Sequence, residues 1–364
     1  MRVGRLHLSN FRCISDLEID FASADGPRSL TALIGDNGSG KTTILQAVAL
    51  VLSLATRRTR PPQELNWPGF MSDRVSSLGP TRVELDVALD EEEIATTNEL
   101  FAAWRDTLSN EYQQTHRIVP PADLSQITLI YESGRLSCAQ GYEAQNQLLG
   151  RYYIKALAKT QPWFRQRFPV VGDVFWFDQN RNVSTTMARQ DAGADERNGG
   201  ESWETGIEQL REYLVGWWGY HTSPERRGGK DYIPELERHF QRVFPGSTFR
   251  GIMPRDGNGT GRVSDFYFLL ERDGRVFDIA EMSSGEQAVF PLLYEFVRLD
   301  IARSVVLIDE LELHLHPPQQ QALLAALPAI GPDCQFIITT HSPYLEEVIP
   351  DEQEVRLKGG DVCL

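Results

Sequence analysis

The residues with the most chemical content form one eight-residue run, Gly35-Asp36-Asn37-Gly38-Ser39-Gly40-Lys41-Thr42. It fits G-x-x-x-x-G-K-[ST], a loop that holds phosphate. Glycines let backbone N–H groups turn toward phosphate oxygens where a side chain would stand in the way. A helix opening at Lys41 adds the positive end of its dipole. The Lys41 ammonium has the reach for the β- and γ-phosphates, and the Thr42 hydroxyl suits Mg²⁺. With Thr43 behind them, these residues are the expected cradle for ATP.

A second constellation is Val305-Val306-Leu307-Ile308-Asp309-Glu310. An apolar strand ending in two acids is common in isolation. Downstream of a phosphate loop it reads as a Walker B element. Asp309 is then expected in the Mg²⁺ shell, and Glu310 as the general base that polarises the attacking water. Ahead of it lies Met282-Ser283-Ser284-Gly285-Glu286-Gln287. Ser283 and Glu286 have the spacing of a capping box, opening a helix that carries Val289, Phe290, Leu292, Leu293, Phe296 and Val297. Past the acids, Ile337-Ile338-Thr339-Thr340-His341-Ser342-Pro343 ends an apolar strand in a histidine. A lone histidine is usually structural; this one lies one strand beyond the acidic pair.

The elements that must position these groups can be read from periodicity. Arg5–Leu8 and Ile14–Phe21 alternate as half-buried strands do, with Asn10-Phe11-Arg12 between them. Ser29–Ile34 is a strand leading into the loop, and Lys41 to about Leu54 is the helix behind it. Arg82–Leu89 alternates again, Glu91–Asn110 is helical, and Ile127–Tyr131 and Asp173–Phe177 are strands. Tyr142–Phe168 and Ser202–Trp218 read as helical and aromatic-rich, and the 190–201 and 224–230 segments as loops. From Arg262 the order is regular: strands Asp265–Glu271 and Val276–Ile279, helix Ser284–Leu299, strand Ser304–Ile308, helix Pro318–Leu327, strand Cys334–Thr340. Strands and helices alternating through short loops imply a parallel sheet covered by helices. Pro, Gly and Trp interrupt every candidate heptad, so no long coiled-coil arm is expected.

The 364 residues fit one large domain or two modest ones, and 41% hydrophobic content is enough for a real core. A net charge of −15 excludes a nucleic-acid binder that works by bulk charge. Nucleic acid could be met only through a local patch. The short basic runs are Arg57-Arg58-Thr59-Arg60 and Arg226-Arg227 with Lys230, and solvated loops are the plainer reading of both. The four cysteines, Cys13, Cys138, Cys334 and Cys363, are scattered and fit neither a zinc site nor a disulfide framework. No signal peptide is visible, and the apolar stretch Ala47–Ala55 is too short for a bilayer. The expectation is a cytoplasmic protein with no membrane partner.

The order of these motifs resembles the ABC-type ATPases. Met282–Gln287 is similar to their LSGGQ signature, and closer to LSSGEQ-like variants, with Met282 for Leu and Ser284 for Gly as departures. In that family the signature serine and helix N-terminus contact the γ-phosphate of the partner subunit's ATP. The resemblance therefore implies a dimer around two ATPs, with Ser283, Ser284, Gly285 and Glu286 as nucleotide contacts and His341 as the switch histidine. The chain start, Leu6–Leu8, Asn10-Phe11-Arg12 and Leu17–Phe21, resembles SMC, RecF and OLD-family ATPases, which makes Asn10 and Arg12 expected contacts near the nucleotide. Asp309-Glu310-Leu311-Glu312-Leu313-His314-Leu315-His316-Pro317 and Thr340-His341-Ser342-Pro343 resemble the OLD-like members more specifically. The first includes the counterpart of the ABC D-loop, favoured over a metal role for His314 and His316. No Q-loop glutamine is clear; Gln179, after the strand Asp173–Phe177, is the candidate metal ligand.

The resemblance implies an α/β fold: an ABC-type P-loop NTPase head with a mixed or parallel sheet, an antiparallel N-terminal lobe and a mainly helical insertion. The expected division is 1–90 for the N-terminal lobe, 91–261 for the insertion with some strands given to that lobe, and 262–364 for the C-terminal lobe. Many OLD-like proteins continue into a Toprim nuclease, which needs on the order of a hundred residues. This sequence has 23 residues after His341, so no fused nuclease is expected. Stand-alone relatives such as Septu-type ATPase subunits work with a separately encoded effector, often a nuclease. The implied role is an ATPase subunit of bacterial antiphage defence that acts on such an effector. The alternative is a RecF-like ATP-dependent DNA-binding protein of recombination or repair. A transporter subunit fits poorly, because the phosphate loop and signature are too far apart.

Overall fold

The computed structural model describes residues 1–364 except 25, 60, 66, 76–78, 180–203, 226–228, 256–261 and 358–364. The strands are β1 (Arg2–Phe11), β2 (Ile14–Asp20), the two-residue pair β3 (Ala22–Ser23) and β4 (Gly26–Pro27), β5 (Leu30–Ile34), β6 (Arg82–Ala88), β7 (Gln126–Glu132), β8 (Arg135–Cys138) and β9 (Val174–Phe177). They continue with β10 (Ser247–Pro254), β11 (Phe266–Arg272), β12 (Arg275–Asp278), β13 (Val305–Ile308), β14 (Gln335–Thr340) and β15 (Glu354–Arg356). The helices are α1 (Lys41–Ala55), α2 (Glu91–Asp106), α3 (Asn110–Thr115), α4 (Tyr142–Asn146), α5 (Gly150–Leu157), α6 (Glu204–Thr222), α7 (Ile233–Val243), α8 (Ser284–Arg298), α9 (Pro317–Ile330) and α10 (Pro343–Glu346).

The chain divides into two compact units, and both are discontinuous. The first takes Met1–Asp178, Asp300–Leu311 and Gly331–Leu364; the second takes Gln179–Leu299 and Glu312–Ile330. Residues 91–178 thus pack with the phosphate-loop half, and 179–261 belong with the signature half.

In the first unit, an antiparallel sheet runs β2-β1-β6-β7-β8 and a parallel sheet runs β15-β5-β14-β13-β9. Helix α1 is buried almost all round. Its Ile44, Leu45, Val48 and Val51 share one core with Leu6 and Leu8 of β1, Val83, Leu85 and Val87 of β6, and Val305, Leu307 and Ile337 of the parallel sheet. Alternation on β6 is strict, every second residue being buried, as a half-covered sheet requires. A single side chain joins the two sheets. Gln335, at the start of β14, accepts from the Val3 N–H at 2.6 Å and donates to the Val3 carbonyl at 2.9 Å. The amide imitates one rung of a β-ladder.

In the second unit, β10-β11-β12 form an antiparallel sheet. Helix α7 packs against both α8 and α9. Aromatic rings fill this core, with Phe240 and Phe290 centred 5.3 Å apart and Phe249 and Phe268 5.5 Å apart.

The expected elements appear with several differences. Tyr142–Phe168 is not one helical run. It is α4, a 3-10 turn at Gln147–Leu149, α5 and a second 3-10 stretch at Pro162–Val170. Gly150 abuts Val171 so closely that a Cβ would sit 2.2 Å from its Cγ1. The helix expected over Glu91–Asn110 stops at Asp106, and Ser109 caps a separate α3. Strands β8, β10 and β15 and helix α7 were not anticipated. The expected 190–201 loop and part of 224–230 lie outside the described residues. Among the described residues, no helix is long and apolar enough to cross a membrane.

Candidate functional site

All five strands of the parallel sheet point the same way, so their carboxyl ends form one edge. Such an edge is where α/β sheets bind ligands. The phosphate loop leaves β5, the two acids leave β13, and β14, which ends in Thr340 before His341, lies between those strands. The histidine therefore emerges between the loop and the acids, although it is last in sequence.

The loop has little freedom to vary. A Cβ on Gly35 would meet the Leu357 carbonyl oxygen and Ser39 Oγ at 2.8 Å each. Gly40, the residue before α1, has φ 93°, a conformation that only glycine enters cheaply. Lys41 folds its Nζ back to donate to the carbonyls of Gly35 at 2.7 Å and Asp36 at 3.0 Å. Gly38 turns at positive φ, Asp36 and Asn37 are at the surface, and Thr43 packs beside Cys13.

Thr42 Oγ1 donates to the Asp309 carboxylate, at 2.9 Å from Oδ2 and 3.1 Å from Oδ1. Asp309 is 1% exposed. Thr339, fully buried on β14, donates to Asp309 Oδ1 at 2.7 Å and accepts the Glu310 N–H at 2.8 Å. Glu310 has φ 49°, left-handed backbone that costs a residue with a Cβ about 1–2 kcal/mol. Strain of this kind gathers at functional sites. Here it turns the chain sharply after β13 and leaves Glu310 half-buried. Neither Thr339 nor its bridging position was anticipated. The signal in the sequence is slight: the first of two threonines that close the strand, two residues before the histidine.

The donor chemistry fits magnesium. A hydroxyl and a buried carboxylate beside a phosphate loop are the hard oxygen ligands this ion takes. Gln179, the candidate third ligand, is exposed and follows β9, the strand paired with β13.

The signature segment lies in the second unit. Ser283 caps α8, and its Oγ donates to Glu286 Oε2 at 2.6 Å while its N–H reaches the same oxygen at 2.9 Å. The other Glu286 oxygen pairs with Arg272. Glu286 is 3% exposed; both its oxygens are engaged within the protein. Its side chain holds the cap that the Ser283–Glu286 spacing predicts. Ser283 and Ser284 are the exposed members. Gly285 is required by close approach, since a Cβ there would stand 2.9 Å from the His314 carbonyl. The expected D-loop segment thus backs directly onto the signature. Ahead of the cap, Asp278 Oδ1 accepts from Arg211 of α6 at 2.5 Å and from the Ala280 N–H at 3.0 Å. Sequence reading missed this buried pair.

Of the two turn residues, Arg12 reaches α1. Its guanidinium donates to Gln46, one turn beyond Thr42, and to the Gly69 carbonyl, and burial lowers its pKa. Asn10 instead donates to the Pro80 carbonyl, toward the segment before β6. Among the described residues, the basic side chains of the two runs are engaged with neighbours. Arg58 forms a buried pair with Asp173 at 3.0 Å, Arg57 donates to the Tyr142 hydroxyl, and Lys230 pairs with Glu235. Arg60, Arg226 and Arg227 lie outside the described residues. Cys138 and Cys334 are free thiols, and Cys363 lies outside the described residues. No group of three or more His, Cys, Asp or Glu suited to a metal occurs among the described residues, so His314 and His316 form no such cluster.

Comparison with known proteins places this geometry. Residues 5–128 match a family model described as "AAA domain", and residues 226–346 match one described as "AAA domain, putative AbiEii toxin, Type IV TA system". The sequence is 26% identical to the OLD nuclease of Thermus scotoductus over 94% of this chain and 60% of that protein. It is 21% identical to the retron Ec83 probable ATPase of Escherichia coli, over 99% of this chain and 72% of that one. It is 23% identical to the Septu protein PtuA of Bacillus mycoides, over 99% and 41%. The chain thus spans well under two thirds of the OLD nuclease and PtuA. In fold it is similar to an SMC head crystallised with the C-terminal winged-helix domain of ScpA, with a TM-score of 0.50, 15% identity, and 95% and 91% of the two chains covered.

Proposed function

Taking the chain as an OLD-like, ABC-type P-loop ATPase, we propose that it binds Mg²⁺-ATP, closes as a dimer around two nucleotides, hydrolyses them, and thereby controls a separately encoded effector, a nuclease, in bacterial antiphage defence. The observation that carries the catalytic part is the meeting of Thr42 and Asp309 at 2.9 Å across 267 residues of sequence. A phosphate loop and an acid-tipped strand from opposite ends of the chain converge on one point. The effector part rests on the resemblance to OLD, retron and Septu proteins.

The residues divide the work. Loop N–H groups and the Lys41 ammonium hold phosphate oxygens. Thr42 and Asp309 would hold the metal, with Gln179 as the third ligand in this reading, and the chemistry it would supply is neutralisation of charge on the phosphoryl oxygens. Glu310 accepts the proton of the attacking water. His341, emerging between loop and acids, donates to the γ-phosphate. Ser283, Ser284 and the N-terminus of α8 supply donors to the nucleotide of the opposite copy, and turnover by a lone chain is slow because each site needs both.

The test is the solution mass of the full chain. With Mg²⁺-ATP, Glu310→Gln is expected to shift to the dimer mass while Lys41→Ala stays at the monomer mass. Unchanged masses in both would sink the nucleotide-bridged dimer. Co-purification from the native operon tests the effector. A retained nuclease whose cutting responds to ATP supports it. ATP-dependent binding to gapped duplex with no protein retained points instead to the RecF-like repair reading.

A further inference from the structure

We propose that Thr339 is a positioning residue for hydrolysis, setting the metal-holding acid and the water-activating acid in one fixed geometry. The inference rests on the ATPase reading above and deepens it. One hydroxyl does two jobs. It donates to Asp309 Oδ1 at 2.7 Å, and the same oxygen accepts the Glu310 N–H at 2.8 Å. Asp309 and Glu310 are adjacent in the chain, yet their tasks differ and their side chains must diverge. The backbone turns left-handed at Glu310, and the N–H of that residue, ahead of the turn, is held by Thr339.

The arrangement also fixes which oxygen of Asp309 is turned to the loop. Thr42 is nearer Oδ2, at 2.9 Å, than Oδ1, at 3.1 Å. Thr339 fastens Oδ1 from the sheet side. Ligating carboxylates are oriented by such outer hydrogen bonds, and losing one typically costs 10–100-fold in metal affinity or activity. Thr339 has no solvent exposure and sits on the strand between the loop strand and the acid strand. Its hydroxyl is engaged by Asp309 and Glu310, so its effect is exerted through the two acids.

Thr339→Val removes the hydroxyl and keeps the branched shape; Thr339→Ser keeps the hydroxyl. Two quantities are read on the full-length chain: kcat for phosphate release, and the ratio of affinities for a non-hydrolysable ATP analogue with and without Mg²⁺. Val is expected to lower kcat by about 10–100-fold and to shrink the Mg²⁺-dependent gain in affinity. Its affinity without metal should stay within about two-fold of wild type, and Ser should restore both quantities. Wild-type kcat and an unchanged Mg²⁺ gain in Val would overturn the proposal. So would loss of metal-free binding in Val, which marks a packing role. If the wild-type chain itself shows no Mg²⁺-dependent gain, the ATPase reading fails instead, and the two failures are told apart.

Discussion

Glu310 illustrates how much chemistry one backbone angle can carry. Its left-handed φ sends the side chain away from Asp309, so that one acid stays buried beside Thr42 and the other stays accessible. Glu310→Gln preserves volume and backbone but removes the proton acceptor. Turnover is expected to fall by about 10²–10⁴-fold, with ATP affinity little changed. Phosphate release and nucleotide titration check this together; wild-type turnover in the variant would strip Glu310 of its role. At this scale the sequence was most informative where a residue type is forced by its chemistry. Lys41, Thr42, Asp309 and Glu310 stand in patterns that phosphate and metal impose. At Glu286 the spacing from Ser283 announced the cap. The second bond, to Arg272, is a tertiary contact that no local pattern shows.

Elements set the next constraint. The first turn of α8 lies against the His314 carbonyl, with Gly285 at the contact. Gly285→Ala is expected to push the two segments apart, to displace Ser283 and Ser284 with them, and so to weaken the proposed ATP-driven dimerisation by roughly ten-fold, or about 1.4 kcal/mol. ATP binding to the monomer should persist. Dimer dissociation constants for the two proteins decide it, and equal values would leave Gly285 without a role in the interface. On α7, Glu235 is held at a pKa of about 2, by His239 one turn along and by Lys230. A carboxylate whose folded pKa lies below its ordinary 4.5 stabilises the fold above that value and loses its contribution as pH falls toward 2. The melting-temperature difference between wild type and Glu235→Gln should hold steady above about pH 5 and shrink between pH 4.5 and 2. A difference independent of pH would exclude the pairing. Most strands and helices were legible to within a few residues, because alternation and 3.6-residue spacing follow directly from burial on one face. The Tyr142–Phe168 region was not, since its breaks come from a tertiary contact, Gly150 against Val171, that no local pattern announces.

The whole molecule is assembled from interleaved pieces. Strand β5 lies between β14 and β15, both from the last segment of the chain, and β9 pairs with β13. The fragment 1–178 therefore lacks every parallel partner of its own two strands. It is expected to lack the cooperative unfolding transition of the full chain, and calorimetry on the fragment would show this; a sharp transition would mean that the antiparallel sheet and α1 suffice. The two-sheet arrangement was only partly visible in sequence, because the Gln335–Val3 contact spans 332 residues. That contact makes the position intolerant of an acid. Gln335→Glu exchanges one nitrogen for oxygen with little change of shape. It turns a donor into an acceptor facing the Val3 carbonyl and places a negative charge where water has no access. The variant should destabilise the first unit by on the order of 3 kcal/mol at neutral pH, read as a lowered denaturation midpoint. A single atom changed at the far end of β14 from the histidine would then be felt as a seam opening between the two sheets.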